Sequence, residues 1–224
     1  MKVYGWLPGG NSGYAWSMGK RYEDRITGPY DPRDWIPDEH MTFEIAEAEN
    51  AHGRYAIERF TDETRQMLPQ FWILAANLAD KPFDLVGRMS WVLHYLPIVS
   101  ERFKTAIERD FPGVMEFIPT EKHWDYDRKE PFDDGLYYFG NILPRVPAWD
   151  PEKAIFSEGK SPVRPHFSIR PHGQYIRYAN CCGLPIFRDD KTLDLLFSQD
   201  FVEWFQDHKF GSWGFEEFHT TDGV

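Results

Sequence analysis

Eight histidines, two adjacent cysteines and a few neighbouring carboxylates are the residues of this chain that could do chemistry, and their spacing limits what that chemistry could be. His166 and His172 lie either side of Ser168 and Arg170, His123 adjoins an acidic stretch, and His40, His52, His94, His208 and His219 stand alone. A zinc-protease helix needs two histidines four residues apart, and a structural zinc site needs Cys-x-x-Cys pairs. Neither spacing occurs, so no metal site and no cofactor are expected. Cys181 and Cys182 could pair with each other only in a strained ring, which points to a reducing compartment. Cys182 could act as a nucleophile only in an electropositive site, so a buried, inert thiol is the expectation. There is no Gly-x-Ser-x-Gly elbow. Adjacent acids on a strand point to opposite faces, so Glu216 and Glu217 cannot serve one substrate together, and Asp133-Asp134 before Gly135 reads as a turn. Pro8 to Gly13 is a glycine turn without the Gly-Lys-Ser/Thr of a phosphate cradle. The expectation is no catalytic residue.

Composition points elsewhere. The 224 residues carry a formal charge of −11, which disfavours nucleic acid as a direct ligand and suits a basic partner. Asp38 to Glu49 holds five acids and no Lys or Arg, and Asp189 to Asp222 holds nine acids against Lys191 and Lys209, a net of −7. Aromatics make up 17%, including nine Trp and eighteen Phe, far more than an ordinary core requires. No stretch approaches the roughly 20 apolar residues of a membrane span, and the first ten residues lack a secretory h-region. A cytoplasmic protein is expected, with no membrane partner.

The elements that position these residues follow a pattern used twice. Ile98-Val99-Ser100 leads into Phe103, Ala106, Ile107 and Phe111, then Gly113 and the strand pattern Val114 to Pro119. Leu196-Phe197-Ser198 leads into Phe201, Trp204, Phe205 and His208, then Gly211 and Trp213 to Phe218. Each apolar set has helical spacing, and each serine is placed to accept from amides that a first helical turn leaves unpaired. These units build a core and contain nothing reactive.

Around them the chain reads as short strands. Lys2–Leu7, a hairpin over 42–60, Phe83–Val86, Leu136–Leu143, Gln174–Ala179 and Pro185–Arg188 are strand candidates, and Asp62 to Gln66 is a short helix limited by Pro69. Phe71–Leu78 and Met89–Leu96 are apolar runs that periodicity does not assign. Residues 121–135 read as a charged loop, and 144–171 as an irregular proline-rich stretch with at most short edge strands. The fold class is α+β: mixed, largely antiparallel sheets with a few short amphipathic helices and two similar helix-strand units. Residues 1–80 form a β-rich part packed against 81–224, in one compact body.

The stretch Ile98 to Phe103 followed by Glu116-Phe117-Ile118-Pro119 resembles the signature of a bacterial immunity-protein family, type eleven of the polymorphic-toxin systems. The similarity continues through Tyr137 to Ile142, Ile186-Phe187-Arg188, Leu196-Phe197-Ser198 with Phe201, and Gly214-Phe215, so it spans roughly residues 80–218. The resemblance implies the 81–224 part is immunity-protein-like. It also implies a protein that binds a cognate toxin with a basic surface, by stoichiometric complex formation without catalysis. The candidate contacts are Trp124, Asp125, Tyr126, Asp127, Asp133 and Asp134, with a second group at Trp213, Glu216 and Glu217. A hydrolase with an unrecognised carboxylate site, acting on carbohydrate, is the alternative, and a scaffold module is a third.

Overall fold

The computed structural model describes residues 2–8, 14–18, 59–70, 72–76, 84–86, 96–125, 128, 130–131, 135–159, 166–169, 174–211 and 213–221. The glycine turn at 9–13, most of the 42–60 hairpin and nearly all of 89–96 lie outside them. The helices are α1 (Asp62–Met67), α2 (Glu101–Asp110) and α3 (Gln199–Asp207). The strands begin with β1 (Val3–Pro8), β2 (Tyr14–Met18), β3 (Trp72–Ala76), β4 (Leu85–Val86), β5 (Ile98–Ser100) and β6 (Met115–Pro119). They continue with β7 (Lys122–Asp125), β8 (Glu130–Pro131), β9 (Tyr137–Ile142), β10 (Arg145–Val146), β11 (Phe156–Gly159) and β12 (His166–Ile169). The last are β13 (Tyr175–Ile176), β14 (Ile186–Asp189), β15 (Leu195–Ser198) and β16 (Trp213–Thr220).

A six-stranded sheet in the order β10-β14-β15-β1-β16-β13 is the largest layer. A second sheet runs β4-β5-β9-β6, a third β2-β3-β7-β8, and β11 pairs with β12. Pairing is antiparallel except at β10–β14, β13–β16 and β3–β7, so the expected α+β class with mixed, largely antiparallel sheets is what the chain forms. Among the described residues no helix is long and apolar enough to cross a membrane.

Both faces of the six-stranded sheet are covered, which explains the unbroken apolar sequence of its central strands. Antiparallel partners share a face: Tyr4, Phe197 and Ile186 look one way, Gly5, Leu196 and Phe187 the other. On the first side α2 and α3 fill the core with Phe103, Ile107, Phe201 and Phe205, against Phe197 and Trp213. On the second side Val3, Leu196 and Phe187 pack with Ala148 and Trp149 from the proline-rich stretch and with Ile176 of β13. Gly5 is required here by close approach, since a Cβ would come within 2.3 Å of the Phe218 ring.

The serine-capped units form as the spacing predicts. Ser100 Oγ accepts from Phe103 N at 3.2 Å and Ser198 Oγ from Phe201 N at 3.2 Å, with nearly identical cap dihedrals. The exits differ. Gly113 turns the first chain with φ of +80°, whereas in the second the left-handed residue is Lys209, at +55°, and not Gly211.

Three expectations are corrected. Residues 121–135 are not a loop throughout: β7 and β8 form an antiparallel pair, and β7 runs alongside β3. Backbone partners from β3, distant in sequence, are what make a charged segment a strand. The strand expected over Gln174–Ala179 ends at Ile176, because Arg177 N donates to Ala148 O and Tyr178–Asn180 close a 3-10 turn. Cys181 is buried but Cys182 is exposed, since that turn rolls the second thiol outward. Its hydrogen bond to Cys182, together with partial burial, pushes the Tyr178 phenol up to about 12.

The proline-rich stretch is tied down by two buried carboxylates: its own Asp150, which accepts from Thr221 Oγ1 at 2.7 Å, and Asp189. Asp189 Oδ2 accepts from Ala148 N at 2.9 Å, and Oδ1 accepts from Thr192 N at 2.7 Å and Lys191 N at 3.0 Å. Trp149 Nε1 donates to Thr192 Oγ1 at 3.0 Å in the same knot. Truncating Phe103, which is fully buried, to alanine is expected to cost about 3–5 kcal/mol in urea unfolding. Ser198→Ala should cost about 1 kcal/mol. Ser100→Ala should cost more, because Ser100 Oγ also donates to Asp84 at 3.1 Å.

Candidate partner interface

A helix of nine residues that buries Phe201, Val202 and Phe205 must turn its remaining side chains to solvent. On α3 those are Asp200, Glu203, Gln206 and Asp207, with no basic residue in the helix to offset them. Helix α2 is different: Lys104 lies 3.0 Å from Glu108 and 3.9 Å from Glu101, so its charge is largely paired on its own surface. Among the described residues, α3 thus presents a run of exposed acids, continued by Glu216 and Glu217 on the strand that follows it.

Polar bonds at their ends fix the two helices to each other. Asp110 accepts from Trp204 Nε1 at 2.7 Å and from Arg109 Nε at 2.6 Å, and His208 Nε2 stands 3.7 Å away. The Arg109 guanidinium, with the Trp204 bond, holds the Asp110 carboxyl well below the usual carboxylate range. Arg102 reaches from α2 to the His208 carbonyl at 3.0 Å, pairs with Asp84, and lies over the Phe210 ring at 4.4 Å.

Along β16 burial falls from a buried first residue to two adjacent exposed carboxylates. Trp213 is a core residue, its ring stacked at 6.0 Å on Phe205 and tilted against Phe197 at 5.4 Å. Glu216 and Glu217 are exposed, and Glu217 pairs with Lys2 at 2.7 Å across β1. Trp124 and Asp125 lie on β7, in the β2-β3-β7-β8 sheet, whereas β16 belongs to the six-stranded sheet. Tyr126, Asp127, Asp133 and Asp134 fall outside the described residues. The described members of the two candidate groups thus stand on different sheets.

Sequence reasoning missed the Asp110–Trp204–Arg109 junction and the Arg102–Asp84 pair. The outward acids of α3 did leave a signal, since Asp200, Glu203 and Asp207 recur at i, i+3 and i+7. No such regularity marks Lys2 and Glu217, which are 215 positions apart. Among the described residues no group of three or more His, Cys, Asp or Glu could hold a metal ion.

Comparison with known families decides what this arrangement belongs to. The model of the Immunity protein family (Imm11) matches residues 41–220, four-fifths of the chain. The chain belongs to this immunity protein family. The match takes in both serine-capped units and every strand from β3 to β16, and it extends further toward the N-terminus than the resemblance at 80–218. Strand β1, which lies between β15 and β16, precedes it. No curated protein matches the chain.

Asp110 gives a pH test of the helix junction. A carboxyl held lower in the folded chain than in the unfolded one stabilises the fold above the ordinary Asp range, and that contribution is lost as pH falls. Asp110→Asn should therefore lower the urea midpoint at neutral pH, and the gap from the unsubstituted protein should narrow below about pH 4. A gap of constant size across that range would mean that the charge contributes nothing.

Proposed function

We propose that this family member binds a cognate bacterial toxin and silences it by forming a stoichiometric complex, without catalysis. Membership of an immunity protein family over most of the chain is the observation that carries the reading. In this reading the protein works inside the bacterium, as the protective half of a polymorphic toxin system used in competition between bacteria. It acts as one compact body, with its first 80 residues packed against the rest.

The partner is a protein with a basic surface. The exposed acids of α3 and β16 support this, as does the net charge of −11, because opposite charge speeds encounter and fixes orientation. The contacts fall in the segment of Trp124, Asp125, Tyr126, Asp127, Asp133 and Asp134, and at Glu216 and Glu217, with Trp213 supporting the last strand from beneath. Charged rims of this kind govern on-rate, while a few desolvated anchors carry the affinity.

The test is protection. Cells expressing toxin candidates encoded beside the gene should survive when this chain is co-expressed, and the purified pair should elute as a stoichiometric complex. Association should slow by about tenfold or more between low and physiological salt, read by stopped-flow mixing. No protection against any neighbouring candidate would overturn the reading.

A further inference from the structure

Among the described residues, one side of strand β16 is open over most of its length. Its one long neighbour is β1, and β13 covers the other side only at His219 and Thr220. Two bonds show which backbone groups point that way. Lys2 O accepts from Gln199 N on the β15 side of β1, so Lys2, Tyr4 and Trp6 direct their backbone groups to β15, and Val3, Gly5 and Leu7 direct theirs to β16. Phe218, Glu216 and Gly214, the register partners of Val3, Gly5 and Leu7, therefore complete the ladder with β1. At the far end Thr221 N donates to Ile176 O, so odd-numbered residues of β16 face away from β1. Ahead of His219, the N–H and C=O of Phe215 and Glu217 have no ladder partner among the described residues.

The side chains along this edge restrict what can pair with it. Phe215 and Phe218 are half-buried, and Glu216 and Glu217 stand exposed between them on opposite faces. Glu217 has Lys2, while Glu216 has no ion pair among the described residues. Pairing with a second copy of this edge would set carboxylates against carboxylates, and like charges directly opposite each other destabilise a sheet. We infer that the open edge of β16 receives an extended segment of the toxin, with two adjacent basic residues opposite Glu216 and Glu217 and apolar residues opposite Phe215 and Phe218. The inference rests on the immunity reading and adds to it the mode of contact. Main-chain bonds to Phe215 and Glu217 supply the attachment, and the two carboxylates select the sequence.

The experiment uses the full chain and, as probe, a capped peptide of two adjacent lysines flanked by valines. Amide exchange followed by NMR should slow about tenfold or more at Phe215 and Glu217 on peptide addition, and stay unchanged at Glu216 and Phe218, whose amides already face β1. Glu216→Lys should weaken peptide binding about tenfold. A peptide N-methylated along the edge that meets β16 should not bind, and this control needs no change to the protein. Unchanged exchange at Phe215 and Glu217, or equal binding of the N-methylated peptide, would overturn the inference.

The same variant separates the two proposals in cells. Loss of protection by Glu216→Lys, with its unfolding midpoint unchanged, supports the edge contact. Full protection by this variant and by Glu217→Pro, against a toxin that the unsubstituted chain silences, overturns the edge contact and leaves the immunity reading standing. If the unsubstituted chain protects against nothing, the immunity reading falls, and the edge contact is decided by the exchange pattern alone.

Discussion

Packing of aromatic rings between two serine-capped helices and one face of a six-stranded sheet is the interaction on which the rest of this structure depends. Phe103, Phe197, Phe201 and Phe205 are at most 2% exposed, and they meet edge-on, tilted or stacked at centroid distances between 5 and 6.5 Å. Such pairs favour offset and edge-to-face geometry, so they fix orientation as well as burying area. The helices are only ten and nine residues long and would be marginal alone. Their caps supply one missing acceptor each, and the aromatic layer supplies the driving force.

The acidic surface follows from that packing. Once the apolar stripe of α3 is committed to the sheet, Asp200, Glu203 and Asp207 have nowhere to point but outward, and the short turn through Lys209 brings the chain back along β16. Helix α2, packed beside it, pairs its own charges and closes the junction through Asp110 and Trp204. Two units with the same local grammar thus present different surfaces. One is electrically quiet, and the other carries unbalanced negative charge beside a strand whose outer edge is open among the described residues.

Long-range pairing completes the body. Strand β1 joins residues near the start of the chain to β15 and β16 near its end, and Lys2 meets Glu217 across 215 positions. Such contacts close large loops, so folding is expected to be governed by assembly of this sheet and not by the helices. Among the described residues the proline-rich stretch makes few ladders, and the buried Asp189, whose two oxygens take up backbone amides from both sides, holds it to the sheet.

Patterns with a short repeat were legible in the sequence. The serine caps, the helical stripes, the aromatic strand at Tyr137 and the class of fold are local, because they depend on residues at most a few positions apart. The family was legible for the same reason, its marks being core residues and caps. Assignments that need a distant backbone partner were not: β3 makes a strand of the charged segment at 122–125, and Ala148 ends the strand at Ile176. Whether Cys182 faces water, and where β13 meets β16, likewise followed from how remote segments pack. Residue type and spacing determined what could be built; the tertiary structure decided which backbone groups and charges remained exposed, because exposure is what packing leaves over.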